Sequence, residues 1–219
     1  APSRWAGIPI SIKDLYDQAG VTSTAGSTAL RDAPPATRTA LSVARLERAG
    51  FVVLGRTNMV EFAFSGLGVN PHHGTPRSPW DRATGRLPGG SSSGSGAGLA
   101  AGLFPLALGT DTGGSVRVPA SFCGIYGFRP THGRIALDGV TPLAPSFDTV
   151  GWFAPDAGLL QRLGQVLLGL ADEGGRWRNI LLVEDAFALT DGPVRQALGP
   201  AIDAVTAALG SPRDVTLSR

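Results

Sequence analysis

Residues 109–117, which read GTDTGGSVR, constrain the fold more than any other stretch of the sequence. They follow an apolar run at residues 103–108 and precede Pro119 and Ala120, so the pattern predicts a turn between a buried strand and a helix. The consecutive glycines allow a sharp turn that brings several backbone N–H groups together. Such a turn can hold an anion or a developing oxyanion, and Ser115 stands at its end. This stretch alone is equally compatible with a nucleophilic serine and with a phosphate-binding or structural turn.

Two further segments favour the catalytic interpretation. Residues 89–95 read GGSSSGS and contain Ser91. Residues 7–14 read GIPISIKD and contain Lys13, the single lysine in a chain with eighteen arginines. Arginine stays protonated in proteins, whereas a lysine removed from water can lose its proton. Lys13 is therefore a candidate general base.

Together these segments resemble the amidase signature family of serine hydrolases. The resemblance runs from Gly7 to about Gly151, in the family's order, through GIPISIKD, GRTNMVEF, the glycine–serine loop, GTDTGGSVRVPASFCG and GFRPTHGR. The loop departs from the family's usual GGSSGGS at Ser93, where a glycine is expected. The resemblance implies an α/β fold in which helices cover both faces of a mixed, mostly parallel sheet, here incomplete.

The resemblance also implies the chemistry of the site. It makes Ser115 the nucleophile, Ser91 the bridging serine and Lys13 the base of a Ser–Ser–Lys triad, and it makes the Gly90–Ser91 peptide bond cis. The implied reaction is hydrolysis of a carboxylic amide to an acid and ammonia or an amine through an acyl-serine, with no cofactor and no metal. The implied oxyanion hole consists of four backbone N–H groups, those of Thr112, Gly113, Gly114 and Ser115.

The substrate itself stays open. In relatives, the segment that includes Met59, Phe62 and Phe64 lines the acyl pocket, which suggests an apolar acyl group. Ordinary core packing is the preferred interpretation of these three side chains. The resemblance covers a free-standing amidase as well as the glutaminase subunit of a transfer-RNA-dependent amidotransferase, and a truncated, non-catalytic fragment is a third alternative.

Composition places the chain among globular proteins, since 42% of its 219 residues are hydrophobic and 16% are charged. A single cysteine excludes an internal disulfide framework. No signal peptide is recognised and no apolar run approaches the roughly 20 residues of a membrane span, so we expect a cytoplasmic protein. The expected partner is a small-molecule amide, with no direct nucleic-acid contact and no membrane; a homodimer stays open.

The apolar pattern predicts alternating strands and helices in one α/β domain, residues 1–219. Residues 8–12 and 51–55 are expected to be buried strands and residues 39–49 a helix, and the Gly174 region is the one weak candidate for a boundary. Members of the family are about twice this long. The resemblance therefore implies a fragment of a longer chain, and we expect residues 1–219 to be inactive alone.

A rival serine mechanism can be read from residues 90–94, which satisfy the G-x-S-x-G pattern of a nucleophile elbow. Ser92 would be its nucleophile, and Asp111 and His132 follow in the right order. An elbow should come directly after a strand, which is not expected here, and it gives Lys13 no role. The triad is therefore preferred.

The remaining candidate groups are interpreted as structural. No Walker lysine follows the glycines, so a phosphate loop is disfavoured. His72 and His73 have no third metal ligand at suitable spacing and are expected to be exposed loop residues. Cys123 is expected to be buried and inert, while Asp111 and Arg117 are expected to hold the backbone of the turn.

Overall fold

The computed structural model describes residues 4–169 and 179–217. Its contacts divide the chain into two compact units, Ala1–Ala171 and Asp172–Arg219. The candidate boundary in the Gly174 region lies outside the described residues. The assignment of residues 1–219 to a single domain stays a prediction.

The first unit is built on a five-stranded mixed sheet. Its strands are β1 (Pro9–Lys13), β2 (Val52–Thr57), β3 (Ala107–Thr110), β4 (Tyr126–Phe128) and β5 (Val150–Ala154). They lie in the order β2-β1-β3-β5-β4. β1 pairs in parallel with β2 and β3, whereas β5 is antiparallel to β3 and β4. β3 is thus the central strand and β1 is its parallel neighbour, and both lead into the motifs.

Two hydrophobic clusters cover the opposite faces of this sheet. The helices of the unit are α1 (Leu41–Ala49), α2 (Ser93–Ala100), α3 (Arg117–Cys123) and α4 (Ala157–Leu168). Successive strand residues point to opposite faces. Leu108 and Trp152 accordingly pack with side chains of α1 and α4, whereas Ala107 and Phe153 pack with side chains of α2 and α3. Helices therefore cover both faces, as expected.

Two strand predictions need correction. Residues 51–55 were expected to form a buried strand, but β2 lies at the edge of the sheet, with Val52 and Leu54 49% and 58% exposed. The apolar run at residues 103–108 enters β3 only at Ala107, and Leu103 is 72% exposed. A short apolar, β-branched run favours a strand but does not say whether that strand lies at an edge or in the centre.

The second unit contains β6 (Leu181–Val183), α5 (Glu184–Ala188), α6 (Gly192–Leu209) and β7 (Arg213–Val215). β6 and β7 pair in parallel, so three of the five strand pairs in the described ranges are parallel. The expected mixed, mostly parallel α/β architecture is confirmed. Across residues 4–169 and 179–217, no helix is both long and apolar enough to cross a bilayer.

Candidate active site

The carboxyl ends of the two central strands meet the start of α2. Lys13 is the last residue of β1 and Thr110 is the last residue of β3, and because the two strands are parallel their carboxyl ends lie at the same edge of the sheet. Ser91 lies two residues before α2, and the Gly90–Ser91 peptide bond is cis, as the resemblance implied. The fold therefore brings together three segments that are distant in sequence.

Lys13 is enclosed in this junction. Its Nζ donates hydrogen bonds to Ser91 Oγ at 2.7 Å and to Thr110 Oγ1 at 2.8 Å. Lys13 and Ser91 are both fully buried. The amine therefore does not extend to solvent from the strand end.

Burial also changes the acidity of this amine. Desolvation lowers the pKa of Lys13 to about 7, although the negative charges of Asp111 and Asp148 oppose the shift. A large fraction of the side chain is therefore neutral near pH 7, and a neutral amine has a lone pair that can accept a proton.

Asp111 organises the turn that follows β3. Its carboxylate accepts backbone N–H groups from Gly114 at 2.8 Å, Val116 at 3.1 Å and Arg117 at 3.2 Å. The Arg117 guanidinium adds two bonds at 2.9 and 3.0 Å, and Arg129 lies 3.8 Å away. Burial opposes ionisation, but these donors keep the pKa of Asp111 below its usual range. Asp111 and Arg117 hold the backbone, as predicted.

The predicted oxyanion hole is corrected at one position. The Gly114 N–H donates to Asp111, so it is not free to stabilise an oxyanion. Within the described residues, the backbone N–H groups of Thr112, Gly113 and Ser115 donate to no acceptor, and all three residues line a cavity. Three of the four predicted donors are therefore available.

The cavity over Ser115 has a volume of about 300 Å³. Ser115 is 8% exposed, and its hydroxyl makes no hydrogen bond within residues 4–169 and 179–217. The Ser115 carbonyl accepts the Ser92 N–H at 3.4 Å, which ties the turn to the glycine–serine loop. A larger cavity of about 580 Å³ beside α2 contains none of the candidate catalytic residues. The lining of the smaller cavity is Ala63, Phe64, Ser65, Gly66, Gly90, Thr112, Gly113, Gly114, Ser115, Val118 and Leu143.

The three candidate substrate-binding side chains lie in three different environments. Phe64 lines the cavity over Ser115 and is 82% exposed. Met59 is fully buried in the core, so it fits the core-packing interpretation. Phe62 is 40% exposed, does not line this cavity, and has a left-handed backbone with φ of 46°.

Two residues at this site were not identified from the sequence. Thr110 accepts a hydrogen bond from Lys13, and its position next to Asp111 in the motif was an available signal. Asp148 accepts the Thr112 hydroxyl at 2.5 Å. Asp148 lies far along the chain from the turn, and no local pattern pointed to it.

The groups of the rival elbow mechanism do not come together. Ser92 is fully buried, and its Oγ donates to the Thr110 carbonyl at 3.4 Å. The His132 ring is exposed and lies 3.1 Å from the Pro145 carbonyl. Since His132 contacts neither Ser92 nor Asp111, it cannot serve as their base in this arrangement.

The two histidines and Cys123 lie where the sequence predicted, in an exposed loop and in a buried position. His72 and His73 lie in an exposed loop, where His72 Nε2 is 3.0 Å from Glu61 Oε1. Burial raises the pKa of Cys123 to about 11, so its thiol is unreactive near neutral pH. Among the described residues, no group of three or more His, Cys, Asp or Glu side chains is arranged to hold a metal ion.

Comparisons with known proteins identify the family of this chain. The Amidase family model matches residues 2–187. Amidase 1 of Arabidopsis thaliana is 45% identical over 212 residues, which cover 96% of this chain and 49% of that protein. The chain thus spans about half the length of this relative.

Solved structures give the same result. A crystal structure described as an amidase aligns with a TM-score of 0.88 and 34% identity, over 99% of this chain and 50% of the other. The structure of a glutamyl-tRNA(Gln) amidotransferase component from Thermotoga maritima aligns with a TM-score of 0.86 and 30% identity, over 98% and 51%. Because the family model matches residues 2–187, which are most of this chain, the chain belongs to the amidase family.

Proposed function

We propose that the protein hydrolyses a carboxylic amide to an acid and ammonia or an amine through an acyl-serine intermediate. The observation that carries the proposal is the fully buried contact of 2.7 Å between Lys13 Nζ and Ser91 Oγ, beside the cavity lined by Ser115. In the proposal, Ser115 is the nucleophile, Ser91 transfers the proton and Lys13 is the base.

Acylation begins with a neutral Lys13. Its lone pair accepts the Ser91 proton across the 2.7 Å contact, while Ser91 Oγ accepts the proton of Ser115. Ser115 Oγ then attacks the carbonyl carbon and forms a tetrahedral oxyanion. This step requires the Ser115 hydroxyl, which is unpaired within the described residues, to turn toward Ser91.

The oxyanion would be stabilised by backbone donors. The N–H groups of Thr112, Gly113 and Ser115 are unpaired within the described residues, and these three residues line the cavity, which supports this role. The protonated Lys13 returns its proton through Ser91 to the leaving nitrogen, and the C–N bond breaks. Water then attacks the acyl-serine by the same route and releases the acid.

The acyl group would occupy the cavity next to Phe64. Apolar carbons of Phe64, Val118 and Leu143 line it together with the glycine backbone, so a small apolar acyl group fits its chemistry. Of the three candidate substrate-binding residues, we propose Phe64 alone for direct contact.

The test is an amide panel assayed with the full gene product. Aliphatic and aromatic primary amides, an anilide and glutamine are incubated with the wild type and with Ser115→Ala, and ammonia or amine release is measured. We expect turnover of at least one amide by the wild type and none above background by the variant. No turnover on any amide, or equal turnover by both proteins, would overturn the proposal.

A second candidate function is the glutaminase subunit of a transfer-RNA-dependent amidotransferase. The Thermotoga maritima structure named for that enzyme, with a TM-score of 0.86, favours it. This function predicts glutamine as the preferred amide in the panel and ammonia release that increases with partner subunits and misacylated transfer RNA. Preference for a non-amino-acid amide would exclude it.

The remaining alternative is a non-catalytic fragment. The amide assay is therefore repeated with residues 1–219 alone, which we expect to be inactive. The cytoplasmic location and a homodimer are predictions that subcellular fractionation and light scattering of the full gene product would check.

A further inference from the structure

Asp148 is a buried carboxylate that connects two walls of the candidate site. It is 5% exposed and lies in the loop that runs from Leu143 to the start of strand β5. One wall is the turn that contains Thr112, and the other is the segment that contains Leu143; both line the cavity over Ser115.

Both walls donate hydrogen bonds to this one carboxylate. The Thr112 hydroxyl donates to Asp148 Oδ1 at 2.5 Å. The Leu143 N–H donates to Oδ2 at 2.9 Å, and the Ala144 N–H lies 3.1 Å from both oxygens. The next carbonyl, that of Thr149, accepts the Asp111 N–H at 2.8 Å, so the loop is fixed to the turn through two successive residues of that turn.

We propose that Asp148 is a positioning residue for amide hydrolysis, which holds the Thr112 N–H in the oxyanion hole and the Leu143 wall over Ser115. The inference rests on the proposed function. Asp148 does not line the cavity itself and acts through Thr112 and Leu143. The Thr112 side chain is fixed by its hydroxyl, which limits rotation of the peptide group that carries its N–H.

A carboxylate is needed at this position because all the groups directed at it are donors. An asparagine has one acceptor oxygen. If this oxygen faces the Leu143 and Ala144 N–H groups, the NH₂ group can only donate to Thr112 Oγ1, which reverses that bond and removes its charge; if it faces Thr112, the Leu143 N–H loses its acceptor. Asp148→Asn therefore replaces a charge-assisted bond with a weaker neutral one or loses a contact. An oxyanion-hole donor contributes only when it is correctly placed, so the loss should lower kcat more than it changes KM.

The charge of Asp148 has a second effect that separates positioning in the site from a general structural role. Lys13 contacts the hydroxyls of Ser91 and Thr110, and two carboxylates act on it, those of Asp111 and Asp148. Asp111 is paired with arginine side chains, whereas Asp148 forms no ion pair within the described residues. Removing the Asp148 charge should therefore lower the pKa of Lys13 further.

The experiment is a double-mutant cycle in the full gene product, with an amide that the wild type turns over. Wild type, Asp148→Asn, Thr112→Val and the double variant are compared by kcat and KM. We expect each single change to reduce kcat about tenfold to a hundredfold, with KM nearly constant. The kcat of the double variant should be no more than about threefold below that of the less active single variant, because both changes affect the same hydrogen bond between Thr112 and Asp148.

The pH profile provides the second measurement. The acidic limb of kcat/KM should move to lower pH in Asp148→Asn and stay in place in Thr112→Val, which keeps the charge. Asp156→Asn is the matched control, since Asp156 also accepts a backbone N–H, at the start of α4 and away from the cavity. It should leave kcat and the profile unchanged.

Three results would overturn the inference: single variants with wild-type kcat, losses that multiply in the double variant, or an acidic limb unmoved in Asp148→Asn. If Asp148→Asn does not fold, Thr112→Val and Thr112→Ser decide, since only the serine should keep kcat near the wild-type value. Failure of the proposed function would instead appear as a wild type without turnover.

Discussion

Lys13 Nζ and Ser91 Oγ lie 2.7 Å apart although the two residues are 78 positions apart in the sequence. The contact forms because β1 is an interior strand of the sheet and its last residue faces the start of α2. Burying an amine costs free energy unless it is hydrogen-bonded, and here two hydroxyls accept from it. Because burial lowers the pKa of Lys13 to about 7, a large fraction of this amine is neutral near pH 7, which supports its proposed role as the base.

The first prediction identifies the nucleophile. A fluorophosphonate probe should label Ser115 in the full gene product, because this residue lines the cavity beside N–H donors that have no acceptor in the described part of the chain. Ser115→Ala should abolish labelling and reduce turnover by at least about a thousandfold. His132→Ala is the control and should keep both, and a label on Ser92 detected by peptide mass spectrometry would contradict the assignment.

The second prediction concerns the base. Lys13→Arg should reduce kcat nearly as much as Lys13→Ala, because a guanidinium keeps a positive charge but does not deprotonate in proteins. Turnover of a simple amide is the measurement. Wild-type kcat in Lys13→Arg would show that the residue acts through its charge and not as a base.

The third prediction is a pH dependence of catalysis. Since burial lowers the pKa of Lys13 to about 7, kcat/KM should rise as the pH increases through about 7 and then level off. Titration between pH 5 and 9 measures the limb. A flat profile, or a limb near the ordinary lysine pKa, would contradict a neutral Lys13.

The fourth prediction is a pH dependence of stability. The folded-state pKa of Lys13 lies below its unfolded value of about 10.4, so the unfolded chain binds the extra proton between these pH values. The burial penalty is therefore complete below about pH 7 and disappears as the pH rises to about 10.4. The difference in unfolding free energy between the wild type and Lys13→Met should shift in favour of the wild type across this window. A constant difference would contradict it.

The sequence predicted the parts of the site that depend on local pattern. The strand that ends at Lys13 is predicted by an apolar run that stops at a polar motif. The turn before α3 is predicted by a second apolar run followed by two consecutive glycines. The role of Asp111 was also predictable, because its carboxylate lies within a few residues of several backbone N–H groups of the turn and can accept hydrogen bonds from them. The triad roles came from the family resemblance and remain proposals.

The sequence could not predict features that depend on distant contacts. Asp148 reaches Thr112 only because β5 pairs with β3, which puts the loop before β5 beside the turn. The hydrogen bond that the Gly114 N–H donates to Asp111 depends on the rotation of one peptide group. The exposed edge position of β2 depends on which strands flank it, and its own residues do not specify that.

The last prediction concerns a close approach that holds Ser91 in place. A Cβ on Gly94 would lie 2.5 Å from the Asn58 backbone nitrogen and 2.7 Å from its carbonyl oxygen. The Gly94 N–H donates to that carbonyl at 2.9 Å, and the Val60 N–H donates to the Ser91 carbonyl at 3.0 Å. The segment after β2 and the start of α2 are thus held together by backbone contacts that a methyl group would force apart.

Gly94→Ala should therefore destabilise the full gene product by about 1–3 kcal/mol and lower kcat, because the displaced loop moves Ser91 from Lys13. Gly55→Ala is the matched control, since a Cβ at Gly55 meets no heavy atom within 4 Å. Urea unfolding and amide turnover measure both effects. Equal stability and kcat in the two variants would show that the spacing between Asn58 and α2 does not hold the Ser91 loop.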